Sequence, residues 1–307
     1  MLQMMKTPDP SLQLFAGVDG GGTKCRVRIR DAGGTLLGEA VGGSGNVRLG
    51  LELVWSNILG ALDEALAQTG RDRGSFAHMS LGLGLAGISS AEDAVAMIKS
   101  GPAFARIDAA SDAHAACLGA FSGRDGGILI SGTGSAAYAW VSGRAHQIGG
   151  WGFEVCDYGS AADLGREGIR AALNGLDGLA AESDFTRALL RHFGGHPAKI
   201  VHWVTNAKPR DYGELAPLVM QYAQAHDVIA LQLVEKSAQD LGRYIARLHE
   251  IGASKVSLVG GMAPVFSPYL SLWAQSVLTQ PEHDALEGAI LLAHGMSNGL
   301  LTEMVNV

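Results

Sequence analysis

The segment Phe15-Ala-Gly-Val-Asp-Gly-Gly-Gly-Thr-Lys24 carries the residue types that handle phosphate. An apolar run meets an acid, three glycines, a hydroxyl and a cation, and alternation then resumes through Val27 and Ile29 with arginines between them. This pattern predicts a β-hairpin whose turn, Gly20-Gly21-Gly22, has no side chains over its backbone amides. Exposed amides form a concavity that suits phosphate oxygens. Asp19, ending the first strand, is placed to hold a phosphate-bound Mg²⁺ directly or through water. Thr23 and Lys24 add a hydroxyl donor and a positive charge. The Walker pattern is absent, because the lysine follows Thr23 and no helix signal comes next; the Rossmann fingerprint needs a helix where this chain returns as a strand. A tight hairpin that merely needs small residues would explain a glycine triplet alone. The acid before it and Thr-Lys after it favour phosphate.

The device recurs. Residues 127–135 run as an apolar strand into Ser131-Gly132-Thr133-Gly134-Ser135, and another strand leaves through Ala137, Ala139 and Val141. Thr23 and Thr133 hold equivalent places in two strand–glycine–Thr–strand units half a chain apart, which points to two similar domains facing one another. A third small-residue turn, Gly260-Gly261-Met262, ends an apolar strand. It lets a flat group lie against backbone, or it simply turns a strand into a helix.

Asp112 lies where a strand ends and a small-residue helix begins. It reads as a helix N-cap, as does Ser111. Near two phosphate turns it also reads as a carboxylate that accepts a proton from a sugar hydroxyl, since phosphoryl transfer asks mainly for positioning, charge neutralisation and an oriented attacking oxygen. Sugar-facing candidates are Asn46, Gly150, Trp151 and Asp157. Asn46 and Asp157 offer donors and acceptors for hydroxyls, and Trp151 offers a face for pyranose C–H groups. The alternatives are a turn residue for Asn46 and a core aromatic for Trp151.

These residues must be positioned by a larger frame. At 307 residues the chain exceeds a single-core size, so two domains are expected. Strands are predicted at 12–18, 24–30, 35–41, 78–85 and 104–109, with helices at 51–67, 91–99 and 113–121. From residue 127 the order begins again, with mostly helical chain over 160–250 and a last helix at 284–294. Three antiparallel strands followed by alternating helix and strand, twice, predict an α/β protein with a cleft between halves. The domains expected are 12–122 and 123–307, the second carrying the helical insertion and the last helix packing back on the first; residues 1–11 read as a loose tail. The 43 glycines suggest backbone approaching ligand at several turns. Net charge is −7 with no basic block, which argues against nucleic acid. No apolar run reaches the roughly 18 residues that cross a bilayer. Three scattered cysteines fit a reducing cytoplasm better than a disulfide framework.

Together the motifs Asp19-Gly-Gly-Gly-Thr-Lys24, Ser111-Asp112-Ala113, Ser131-Gly-Thr-Gly-Ser135, Gly149-Gly-Trp-Gly152, Asp157 and Asp284-Ala-Leu-Glu-Gly-Ala289 resemble the N-acetylglucosamine/glucosamine kinase family. That family lies within the group that also holds the activating ATPases of benzoyl-CoA reductase and hydroxyacyl-CoA dehydratase. The likeness runs from Phe15 to about Ala293. It implies two ribonuclease-H-like domains of the actin/hexokinase type around a nucleotide and sugar cleft. It also implies ATP with Mg²⁺ as donor and an amino sugar 6-phosphate as product, made by a cytoplasmic homodimer. By motif, Asp112 is the general base, and Asp19, Gly20, Gly21, Gly22, Thr23, Lys24, Gly132, Thr133, Gly134 and Ser135 surround the phosphates. Gly260, Gly261 and Met262 match the adenosine-side loop, while Asn46, Thr133, Gly150, Trp151 and Asp157 would bind sugar. Tyr158 stands where the family often has Glu. The stretch 208–213 resembles glucosamine-specific kinases, whereas Trp151 is shared with N-acetylglucosamine kinases and tilts the expectation to the acetylated sugar. Two other activities fit the same scaffold: an ATPase activator, which would need cysteines holding an iron–sulfur cluster, and a non-catalytic sugar sensor.

Overall fold

The computed structural model describes residues 13–296; the tail read at 1–11 lies outside the described residues. The first sheet contains β1 (Leu14–Gly20), β2 (Cys25–Asp31), β3 (Leu36–Gly42), β4 (Met79–Leu85) and β5 (Arg106–Ser111), in the order β3-β2-β1-β4-β5. β1, β2 and β3 pair antiparallel, and β4 and β5 are added in parallel. Between them run α1 (Leu51–Ala67) and α2 (Ala91–Ser100), and α3 (Asp112–Ala120) follows β5.

The alternation in β2 decides the two faces of this sheet. Cys25, Val27 and Ile29 are buried in one core with Leu14, Ala16, Val18 and the apolar stripe of α1 (Val54, Ile58, Leu62). Arg26, Arg28 and Arg30 point to the other face. There they meet the last helix, α12 (Ala285–Ala293), which packs on β1, β4 and α3. Arg28 Nη1 reaches Glu287 Oε1 at 2.7 Å, and Asp284, the N-cap of α12, binds Arg26 and Arg28 at 3.3 and 3.2 Å.

Glycine has a second use here that the composition did not reveal. A Cβ on Gly82 would fall 1.9 Å from Ala289 O, one on Gly288 1.7 Å from Ala115 O, and one on Gly119 2.1 Å from Asp284 O. These residues let α12 lie with its backbone against β4 and α3, so many of the glycines serve helix packing and not ligand approach.

The second sheet contains β6 (Gly126–Ser131), β7 (Ser135–Val141), β8 (Arg144–Gly149) and β9 (Val256–Val259), in the order β8-β7-β6-β9. β6 and β9 run parallel, and a lone parallel bridge joins Val256 to Leu278 where the first sheet has its fifth strand. The topology of the first sheet is thus repeated. Helices α4 (Ala161–Leu176), α5 (Asp184–His192), α6 (Pro197–Val204), α7 (Pro209–Gly213), α8 (Ala216–Gln224) and α9 (Val228–Ile251) intervene before β9. Short helices α10 (Ala263–Phe266) and α11 (Leu272–Val277) follow it.

The compact units do not divide the chain at one point. One comprises residues up to 126, 139–146 and from 280 onward; the other comprises 127–138 and 147–279. The helices between β8 and β9 therefore belong wholly to the second unit, and α12 to the first.

Candidate active site

In the first unit, the carboxyl ends of the parallel strands line up. Gly20 pairs with Leu85 and Leu85 with Ser111, so Asp19, the glycine turn and Asp112 sit along one sheet edge. With strands about 4.8 Å apart, two strand spacings separate the turn from β5. β5 runs two residues further than its sequence pattern indicated, and that extension brings Asp112 to the edge.

Gly20 is fixed by packing, since a Cβ there would lie 2.5 Å from Leu85 and 3.0 Å from Gly45. Gly22 differs: no atom lies within 4 Å of its Cβ position. Thr23 and Lys24 are exposed. The turn is tied from behind by Gly21 N donating to Lys24 O (2.9 Å), Gly45 N to Gly21 O (3.0 Å) and Ser44 Oγ to Gly22 O (2.9 Å).

Asp19 faces Arg26 directly across β1 and β2, and Arg26 donates Nη2 (2.7 Å) and Nε (3.1 Å) to the same oxygen, Oδ2. The signal for this pair was in the sequence as the arginine alternation of β2, but register was needed to see it. Oδ1 of Asp19 accepts no hydrogen bond from the described residues. No cluster of three metal-ligating side chains occurs among the described residues. One open carboxylate oxygen beside a bare turn suits a magnesium ion that arrives with phosphate oxygens and water, because Mg²⁺ is commonly held by one or two carboxylates plus substrate phosphates.

Ser111, not Asp112, caps α3: its Oγ accepts from His114 N at 3.1 Å. Asp112 takes the first helical position. Its Oδ1 accepts from Ala113 N (2.9 Å), and Oδ2 accepts no hydrogen bond from the described residues. Burial pushes the Asp112 carboxyl above its ordinary range, and the nearby Asp19 charge adds to the effect. Asn46 caps a short 3-10 turn through Oδ1, which accepts from Arg48 N (3.0 Å), while Val47 N donates to Ala86 O (3.0 Å) at the same edge. The Asn46 amide nitrogen is left without a protein partner among the described residues.

In the second unit, Gly132-Thr133-Gly134 bends between β6 and β7, with Gly132 N donating to Gly134 O (2.9 Å). The start of α4 clasps it: Ala161 N reaches Gly132 O (2.8 Å) and Ala162 N reaches Thr133 O (3.2 Å). Gly132 has no atom within 4 Å of its Cβ position, and Thr133 is exposed with its hydroxyl uncommitted among the described residues. Ser135 behaves otherwise. Its hydroxyl is buried and donates to Tyr158 O at 2.8 Å, which leaves the flanking turn and not this side chain open to a ligand.

The third turn lies beside the second. Met262 N donates to Ser131 O (3.0 Å), and Gly260, at φ +100°, backs onto Ser131, where a Cβ would clash at 2.3 Å. Gly261 is open. Trp151 is 69% exposed, which removes the core-aromatic alternative. Gly150, at φ +75°, turns the chain beside it. Asp157 is buried against Gly134, and that burial raises its pKa, with Asp163 and Glu154 adding negative charge nearby.

The sequence matches the BadF/BadG/BcrA/BcrD ATPase family over residues 16–293. The chain belongs to that family. Among its curated relatives, the glucosamine kinase of Vibrio cholerae serotype O1 is 36% identical over 282 residues, 92% of this chain and 96% of the relative. The N-acetyl-D-glucosamine kinase of Dictyostelium discoideum is 26% identical, covering 75% and 77%. The solved structure of a proposed N-acetylglucosamine kinase from Chromobacterium violaceum superposes with a TM-score of 0.80 at 33% identity, covering 92% of this chain and all of that one. A ROK hexokinase from Thermus thermophilus shares the fold at 21% identity and a TM-score of 0.56, covering 91% and 98%.

Proposed function

We propose that this member of the ATPase family transfers the γ-phosphoryl group of ATP to the 6-hydroxyl of an amino sugar, glucosamine or N-acetylglucosamine. The observation that carries the reading is Asp112: its free Oδ2 lies along the strand edge that also presents Asp19 and an unfilled glycine turn. The curated relatives that are named as amino-sugar kinases support it.

In this reading Asp112 Oδ2 accepts the proton of the sugar hydroxyl as its oxygen attacks phosphorus. Lys24, the amide of Gly22 and those of Thr133 and Gly134 offset the charge on the phosphates, while the Gly21 and Gly132 amides hold the two turns in shape by donating to Lys24 O and Gly134 O. Asp19 is the residue that would hold Mg²⁺, which when bound neutralises charge on the transferring group. Gly260, Gly261 and Met262 take the adenosine side. Asn46, Thr133, Gly150, Trp151 and Asp157 bind the sugar ring, with Trp151 stacking on its C–H face. We further propose a cytoplasmic homodimer. The three cysteines are buried and form no disulfide, as a reducing compartment favours. Their burial also disfavours the activating-ATPase alternative, which needs thiolates that a cluster can reach. No helix among the described residues is long and apolar enough to cross a membrane.

The deciding measurement is ATP-to-ADP turnover against N-acetylglucosamine, glucosamine, N-acetylmannosamine and glucose. Sugar-stimulated ADP release with one of the first two is expected. A chain that hydrolyses ATP at the same rate with every sugar is not this kinase.

Thr133→Val should single out the second turn. Its exposed hydroxyl is available to donate to a charged phosphate oxygen, a bond worth about 1.5–3 kcal/mol, so the KM for ATP should rise roughly tenfold or more and by more than the sugar KM. Unchanged ATP kinetics would remove Thr133 from the nucleotide site.

A further inference from the structure

The loop that carries Asp157 is held on both sides by an ion pair that none of the roles above uses. Asp157 has φ +64°, a conformation in which a side-chain-bearing residue stores backbone strain and persists only where its surroundings enforce it. Two residues later, Gly159 N donates to Asp163 Oδ2 at 3.2 Å. Four residues earlier, Phe153 O accepts from Arg166 Nη1 at 2.8 Å, and the guanidinium lies 4.5 Å over the Phe153 ring. Arg166 Nη2 closes the clamp on Asp163 Oδ1 at 2.6 Å. Both side chains sit on the first turns of α4, with Asp163 7% and Arg166 20% exposed. From the opposite side, Ser135 Oγ donates to Tyr158 O and Ser131 Oγ to Gly159 O, both at 2.8 Å.

We propose that the Asp163–Arg166 pair is a positioning device that fixes Asp157 for sugar binding. It rests on the assignment of Asp157 to the sugar in the proposed function. A buried ion pair is weak evidence for stability, because well-packed apolar residues often replace one at no cost. What it supplies here is geometry. The planar guanidinium reaches a carbonyl and a carboxylate at a fixed angle, which a lysine ammonium cannot reproduce. Neither side chain hydrogen-bonds to the turn at 132–134, so its loss should be felt more by the sugar than by the nucleotide.

The test uses Arg166→Met, Arg166→Lys and Asp163→Asn in the full chain, with KM measured separately for amino sugar and for ATP and folding checked by thermal melting. Arg166→Met should raise sugar KM at least about tenfold, since misplacing a functional group by about 1 Å can cost up to roughly a hundredfold, with ATP KM held within about twofold. Arg166→Lys should recover part of the loss. Asp163→Asn keeps an acceptor for Gly159 N and should fall between them. Should the methionine variant not fold, the two conservative variants carry the same comparison. Folded variants with unchanged sugar KM, or with both constants moving together, overturn the inference. A wild-type protein that phosphorylates no amino sugar removes the proposed function and the inference with it; a competent wild type with silent variants removes the inference alone.

Discussion

Asp112→Asn is expected to lower kcat at least about a hundredfold, the usual scale for losing a general base, while nucleotide affinity and melting temperature stay near wild type. The structure explains why the loss should be clean. Asparagine keeps an oxygen to accept from Ala113 N, and the cap of α3 belongs to Ser111, so neither the helix nor the strand edge depends on the charge. The pH profile adds an independent check. Burial, with the Asp19 charge beside it, raises the Asp112 pKa. The base is active when deprotonated, so kcat/KM should fall with acid along a limb lying above the ordinary carboxylate range. Asp19→Asn removes the like charge and should move that limb to lower pH in whatever activity remains. Normal turnover in Asp112→Asn, or an acid limb indifferent to Asp19, would take Asp112 out of the chemistry.

The contrast between what the sequence disclosed and what it concealed follows from the range of the interactions involved. Strand–glycine–strand segments are local, and both glycine turns were legible because the residues on either side alternate. The repetition of three antiparallel strands was legible for the same reason. Asp112 and Ser111 could both be read as the cap of α3, and only the structure shows Ser111 in that place. The Asp19–Arg26 pair depended on register, which a hairpin fixes but composition does not. Arg166 and Asp163 escaped notice because a polar pair three residues apart on a helix looks like any solvated pair; only the burial of Asp163 and its bond to Gly159 N give it meaning. The glycine count misled most. Nothing in a list of residues distinguishes a glycine that leaves room for a ligand from one that leaves room for a helix.

That distinction yields the second large effect, because the two kinds of glycine should fail in opposite ways. At Gly132 a side chain would enter open space at a backbone conformation that L residues adopt, so Gly132→Leu should fold with a melting temperature close to wild type. The same side chain would occupy the volume assigned here to phosphate. ATP KM should therefore rise roughly a hundredfold, equivalent to about 2.7 kcal/mol. At Gly288 the added carbon would lie 1.7 Å from Ala115 O and 2.7 Å from Gly119 N, both backbone atoms of α3 that no rotamer change can move. Gly288→Val must push α12 off α3, at a cost of about 3 kcal/mol or more. For units of this size that corresponds to a fall in Tm of roughly 6–12 °C. Melting curves and ATP kinetics on the two variants decide the matter together. If Gly132→Leu binds ATP normally, the turn at 132–134 does not hold phosphate. If it melts early instead, the space beside it is filled by the protein itself, and the assignment of that turn to the nucleotide loses its physical basis.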